Sequence, residues 1–274
     1  MFEYNFAYCG DKNYIENYLP VLIRSIEFNN SGNLIHHILC NSRFNFELFS
    51  DWNCKFYLDE NPIVKSYVGT PGQEHVNEAT FLKFSLLNSL PKSLKVMYCD
   101  IDQICTGNIQ MPFSILNDKD CCGFISTDSI WCYKMDNSVG SGVLYNNALN
   151  YPWIHRSSVG NERFNPGCFY IDLNKYPNLY NDALEVISGM DLHNCNGDAT
   201  VFGEIIHKYE SLPQEYNWCT SYLDDIKGVC DNQYSWYDNY EKNNKIKMYH
   251  YSGKLKPWLS RNYPYAKHWW DYYE

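Results

Sequence analysis

The sequence has no run of about 18 consecutive apolar residues, the length a helix needs to cross a bilayer. Its opening residues, MFEYNFAYCG, lack the basic-then-apolar pattern of a secretory leader. It is also short of positive charge: 22 Lys and Arg against 32 Asp and Glu give a formal net charge of −10. A nucleic acid partner is therefore not expected, because binding a phosphate backbone needs a basic face. An acidic chain that handles a phosphorylated ligand must do so through local devices, either a metal ion or a few placed lysines. None of the 12 cysteines forms a C-x-x-C pair, which argues against a zinc ribbon or a dithiol redox centre. Cys121 and Cys122 are adjacent, a poor spacing for a chelate. Scattered cysteines without an export signal are expected to be reduced, buried small hydrophobes in a cytoplasmic protein. No internal repeat and no low-complexity linker divides the chain, so the expectation is one domain over residues 1–274, with no transmembrane segment.

What is present points to a globular fold. Hydrophobic residues make up 45% of the chain and aromatic residues 17%, with 25 Tyr and 8 Trp. Such rings pack cores, and they also stack on sugars and bases. Tyr4–Cys9 reads as a strand, broken at GDKN. A helix is expected through YIENYLPVLIRSIEFNN, where Tyr18, Leu22 and Ile26 recur at helical spacing beside Val21 and Ser25. Leu34–Cys40, Cys54–Asp59 and KVMYCDID read as further strands, and Asn77–Leu90 as a helix ended by Pro91. Phe164–Leu173 reads as a turn and strand, Asp198–Glu210 as a helix, and the tail from Lys247 as aromatic and irregular. Strands alternating with helices predict an α/β fold, Rossmann-like, with a mostly parallel central sheet. Ligands of such sheets bind beyond the carboxyl ends of the strands, which places Cys9–Tyr14 and Asp100–Asp102 on one edge.

Two motifs carry chemistry. In KVMYCDIDQICTGNI an apolar strand ends in Asp100 and Asp102. Carboxylates in D-x-D spacing can both face a Mg²⁺ or Mn²⁺ ion, hard cations that share their remaining positions with substrate phosphates. The alternative is a solvated turn. A third ligand is available far downstream in MYHYSGKLKPW, at His250, with Gly253 allowing close backbone approach and Lys256 adding a positive charge. The alternative for a single histidine is a hydrogen-bonded structural or surface residue.

With these blocks the chain resembles glycosyltransferase family 8, a retaining family. FAYCGDKNYIENYLPVLIRSI is similar to its first strand and nucleotide-binding turn, and NEATFLKFSLLNSL to its helix over the donor. KVMYCDIDQICTGNI resembles its D-x-D strand, RFNPGCFYIDL its F-N-x-G strand, and NCNGDATVFGEII its acidic helix start. HYSGKLKPW and YPYAKHWWDYY resemble its C-terminal signature. The resemblance implies a GT-A fold, a UDP-sugar donor and Mn²⁺ (Mg²⁺ possible), with a glycan or glycoconjugate acceptor. It divides the chain into a nucleotide-binding half, 1–110, and an acceptor side with the metal- and diphosphate-binding segment, 111–274.

Carried over by position, Asp100, Asp102 and His250 would bind the metal, and Gly253 and Lys256 the diphosphate. The donor-binding set extends to Ala7, Asp11, Asn13, Tyr14, Lys83, Ile101, Asn165, Gly197 and Asp198. Tyr14 is preferred to Tyr18 as the residue stacking on uracil, although the turn before it is one residue longer than usual. Each of these tyrosines has helix-start packing as its alternative. Lys83 stands where an arginine is common and loses that residue's planar fork. Asn165 would hydrogen-bond the donor sugar, or else cap a turn. Asp198, Asn196 and Lys83 are the expected catalytic residues. Family members commonly have two acids flanking a glutamine or glycine where this chain reads Asn196, Gly197 and Asp198. That departure removes an obvious side-chain nucleophile and implies front-face substitution. Asp128, Trp131, Tyr133, Trp153 and His155 are expected on the acceptor side, or as a secondary core. The implied function is transfer of a hexose, glucose or galactose, from UDP to an acceptor hydroxyl. The alternatives are a catalytically silent nucleotide-sugar or glycan-binding protein, and a glycogenin-like self-glucosylating protein.

Overall fold

The computed structural model describes residues 2–67, 77–116, 121–125, 164–190, 197–206, 210–211, 213–220, 244–253, 256–263 and 265–273. Strand β1 (Glu3–Gly10) lies at the centre, parallel to β2 (Asn33–Cys40) on one side and to β4 (Lys95–Cys99) on the other. Strand β3 (Cys54–Leu58) extends the sheet beyond β2, also in parallel. Past β4 come β7 (Phe164–Asp172), β6 (Cys121–Ile125) and β8 (Glu210–Ser211), giving the order β3-β2-β1-β4-β7-β6-β8. Strand β7 is antiparallel to both of its neighbours, while the remaining pairs are parallel. A second sheet of order β5-β10-β9 joins β5 (Gln103–Cys105), β10 (Met248–His250) and β9 (Trp218–Cys219).

Side-chain alternation along β1 divides the apolar interior into two layers. Phe6 and Tyr8 pack with Leu22, Ile23 and Ile26 of α2 (Leu19–Asn29). Ala7 and Cys9 pack on the other face with Leu82 and Leu86 of α3 (Leu82–Ser89). A third cluster gathers Trp218, Tyr249, Tyr251 and Trp269 beneath the small sheet.

Several elements differ from the sequence expectation. The first helix is two: α1 (Lys12–Asn17), capped by the Asp11 side chain, and then α2, with Tyr18 non-helical between them (φ −122°). Pro20 explains the break, since it has no N–H for the preceding turn and is favoured where a helix begins. The helix before Pro91 opens with a 3₁₀ turn over Glu78–Phe81, where Asn77 accepts from the backbone N–H of Ala79. It ends with Leu90 extended, the conformation a following proline imposes. Between β4 and β6 lies α4 (Met111–Ile115), and after β7 comes α5 (Leu179–Gly189). Helix α6 (Asp198–Ile205) stops short of Glu210, which instead pairs beside β6. The tail is not irregular: it holds β10 and α7 (Ala266–Tyr273), whose Ala266 and Trp269 are buried. Among the described residues no helix is long and apolar enough to cross a membrane.

Candidate metal centre

The turn that ends β4 passes the chain from the large sheet to the small one, and Asp100 and Asp102 flank it. Strand β5 then pairs antiparallel with β10, placing His250 opposite Gln103, one residue beyond Asp102. The backbone N–H of Tyr251 donates to the Asp102 carbonyl at 2.8 Å, locking that register. One ligand atom from each of Asp100, Asp102 and His250 can therefore be chosen so that all lie within 4.8 Å of one another. Among the described residues this is the only such cluster.

The residues fit a divalent cation. Asp102 Oδ1 is buried and has no hydrogen bond of good geometry, with His250 Nε2 standing 3.3 Å away. Gly167 supplies the floor, where an added Cβ would clash with His250 Cε1 and come within 2.8 Å of Asp100 Oδ2. Two carboxylates and an imidazole are a donor set suited to Mn²⁺ or Mg²⁺.

Each ligand is held by its own supports. Asp100 Oδ1 accepts from the Tyr98 hydroxyl (2.9 Å) and the Lys83 ammonium (3.5 Å), while Asp100 N donates to the Gly167 carbonyl at 2.7 Å. Cys9 Sγ lies 3.2 Å from the Tyr98 hydroxyl. Burial pushes that thiol's pKa up to about 12, so it stays an S–H donor behind Tyr98. Asp102 is gripped by Lys256 through Oδ2 at 2.5 Å. Burial alone would raise its pKa, but the charges of Lys256 and His250 outweigh that and hold it well below the usual carboxylate range. For His250, burial works downward and the Asp102 carboxylate upward; the carboxylate wins, taking the imidazole to about 10.

A second cluster adjoins the first. Lys83, 1% exposed, donates to the Pro166 carbonyl (3.1 Å) and pairs with Asp198, the first residue of α6, as well as with Asp100. Burial would lower its pKa, but Asp100 and then Asp198 raise it, so the ammonium is charged. Gly197 precedes Asp198 with φ +55°, a conformation that favours glycine, and an added Cβ would meet the Tyr67 hydroxyl at 3.3 Å.

The remaining expected residues lie on β1, α1, β7 and the turns after β4 and β10, or outside the described residues. Gly10 and Ile101 bring the ends of β1 and β4 together, with Ile101 Cδ1 only 2.8 Å from where a Gly10 Cβ would stand. Ala7 is fully buried within β1. Asp11 accepts from Tyr14 N at 2.9 Å, and Asn13 lies exposed on α1. Burial, and then the charge of Asp102, raises the Tyr14 hydroxyl to about 12. Tyr18 stacks on Trp258 at 3.9 Å, so one of its faces is already covered. Asn165 turns its carbonyl to Gly167 N (2.8 Å), the turn-capping arrangement. Gly253 has φ +87°, a backbone conformation that favours glycine. Asn196, Asp128, Trp131, Tyr133, Trp153 and His155 lie outside the described residues.

Sequence reasoning missed Tyr98, Gly167, Gln103 and Asn217. Gln103 donates to the Gly167 carbonyl at 2.7 Å, and Asn217 meets His250 Nδ1 at 3.0 Å. Tyr98 could have been read from strand alternation, which puts residues two apart on one face. Asn217 carries no comparable signal, because its role depends on a pairing between distant strands.

The architecture matches solved glycosyltransferases of the GT-A fold. The galactosyltransferase LgtC, solved in complex with donor and acceptor sugar analogues, superposes with a TM-score of 0.70 at 17% identity, over 98% of this chain and 95% of that one. GlyE of Streptococcus pneumoniae TIGR4 gives 0.69 at 18% identity, over 100% of this chain and 60% of that one. Mouse xyloside xylosyltransferase 1 gives 0.54 at 15% identity, over 92% and 98%. No curated protein matches in sequence. The family model for glycosyl transferase family 8 matches residues 5–262, so the chain belongs to that family and is a glycosyltransferase.

Proposed function

We propose that the protein is a Mn²⁺-dependent retaining hexosyltransferase that moves glucose or galactose from UDP to a hydroxyl of a glycan acceptor in the cytoplasm. Mg²⁺ is the alternative cation. The observation that carries the reading is the convergence of Asp100, Asp102 and His250 on one point, with Lys256 against Asp102. These three side chains would hold the cation, which supplies Lewis-acid neutralisation of the leaving diphosphate. Lys256 and the Gly253 turn hold the diphosphate oxygens, which is how a chain of net charge −10 accommodates an anionic donor. Tyr14 is the favoured platform for the base.

Asp198 and Lys83 face the sugar. The burial of Asp198 and its pairing with Lys83 support a binding role for that carboxylate over a nucleophilic one. Gly197 offers no side chain. We therefore favour front-face substitution: the bond from anomeric carbon to phosphate oxygen breaks, the acceptor oxygen bonds to the same face, and its proton passes to the departing phosphate. The catalytic unit is taken as a single domain of two halves, 1–110 and 111–274.

The test is release of UDP from UDP-glucose and UDP-galactose. Turnover with Mn²⁺, its loss with a chelator, and its loss in Asp102→Ala are expected. Absence of turnover with every nucleotide sugar, together with UDP affinity unchanged in Asp102→Ala, would overturn the reading. Mn²⁺-dependent UDP binding without turnover would instead favour a silent binding protein, the reading for which the bare Gly197 speaks.

A further inference from the structure

We propose that Asn217 is a positioning residue of the metal centre: its side-chain carbonyl accepts a hydrogen bond from His250 Nδ1–H and so leaves Nε2, the nitrogen that faces Asp102, as the one that binds the cation. The inference rests on the metal-binding reading above. Asn217 immediately precedes β9, and β9 runs parallel beside β10 with Cys219 opposite His250. Both residues are enclosed, Asn217 at 2% exposure and His250 at 4%. The two meet through Asn217 Oδ1 and His250 Nδ1 at 3.0 Å, while Nε2 points to Asp102 Oδ1 at 3.3 Å.

A neutral imidazole carries one proton, so it has one donor and one acceptor nitrogen. A cation held through Nε2 requires the proton on Nδ1, and a buried N–H there needs an acceptor. The groups placed to accept are Asn217 Oδ1 and, more distant and weaker, Cys219 Sγ at 3.8 Å. Turned the other way, the amide would donate to Nδ1 and drive the proton onto Nε2, where it would block the cation. The orientation of one buried amide thus selects the metal-binding tautomer, the device by which outer partners orient metal-bound histidines.

A second feature separates this role from a structural one. Asn217 Nδ2 is buried and has no hydrogen bond among the described residues. A buried amide donor left unpaired is destabilising, and an apolar residue of similar size would avoid that cost. The asparagine is therefore poorly explained as a packing residue and well explained as an acceptor for His250. A neutral carbonyl also adds no third negative charge to a centre that already holds two carboxylates.

The experiment measures Mn²⁺ affinity directly, by electron paramagnetic resonance of the free ion, alongside the melting temperature of the metal-free protein. Asn217→Leu and Asn217→Ala remove the acceptor, and Asn217→Asp keeps it. The acceptor-less variants should bind Mn²⁺ about 10- to 100-fold more weakly. Their metal-free melting temperatures also fall, because His250 Nδ1–H loses its acceptor, so Mn²⁺ affinity is read at a temperature where every variant is folded. Asn217→Asp should bind within a few-fold of wild type or more tightly. Wild-type Mn²⁺ affinity in either acceptor-less variant overturns the proposal, as does an Asn217→Asp protein as weak as Asn217→Ala. A wild-type protein that binds no divalent cation would fail the metal reading itself, a result distinct from either of these.

Discussion

Lys83 and Asp198 form an ion pair that is almost wholly buried, with side chains 1% and 9% exposed. The same ammonium reaches Asp100 and the Pro166 carbonyl, so one side chain links the metal centre to the start of α6. Lys83→Met would leave two carboxylates without their cation. Loss of about 3–5 kcal/mol is expected from breaking such a pair, and urea unfolding of the metal-free protein measures it. Lys83→Arg keeps the charge and should recover part of the loss. An unchanged unfolding midpoint in Lys83→Met would show that the pair contributes nothing net.

Lys256 approaches Asp102 across 154 residues of sequence and also donates to the Tyr251 carbonyl at 2.8 Å. If it serves the diphosphate, Lys256→Gln should weaken UDP binding in Mn²⁺ about 10- to 100-fold, the range of one charge-assisted hydrogen bond. Calorimetric titration reads this directly. Equal affinity in the variant would remove Lys256 from the donor site.

Gly167 is required for space beneath the metal centre. In Gly167→Ala the new methyl would meet His250 Cε1 and Asp100 Oδ2, neither of which is the end of a long flexible chain. Overpacking of this kind costs about 1–3 kcal/mol. The expected result is a lower melting temperature together with weaker Mn²⁺ binding. Wild-type metal affinity would mean that His250 and Asp100 can separate without leaving the site.

His37 gives a pH signature in the stability of the fold. It is fully buried in β2 between the Tyr57 hydroxyl and the Asn5 carbonyl. Burial, and then the charge of Lys55, lowers its pKa from 6.5 to about 4. Between these values the unfolded chain binds the proton more readily than the folded one, so stability falls with the pH. The loss begins as pH drops below about 6.5 and is complete below about 4, amounting to at most about 3 kcal/mol. Urea midpoints at pH 7 and pH 5 should differ less in His37→Asn than in wild type. An identical pH slope in the two proteins would place the titration elsewhere.

Much of the centre was legible in the chain. Asp100 and Asp102 stand out because charges at the end of an apolar strand conflict with burial unless something uses them. His250, Gly253 and Lys256 stand out as a ligand, a positive-φ turn and a cation set close together. The supports were not legible. Tyr98, Gly167, Gln103 and Asn217 are ordinary residues in ordinary patterns, and only packing makes them partners of the ligands. The split of the first helix was written in Pro20, whereas the antiparallel placement of β7 left no local trace.

Local chemistry, read from the sequence alone, determined most of the strands and helices of the first half, the D-x-D carboxylates and the acidic balance. Those properties depend on neighbours within a few residues, and the chain carries them openly. The tertiary structure decided that β5 leaves the main sheet to pair with β10, which brings His250 to Asp102. It also decided that Lys83 is committed to two carboxylates and that Asn217 faces His250. Such relations arise from strand register and burial between distant segments, where any polar group removed from water must find its partner in whatever the fold puts beside it.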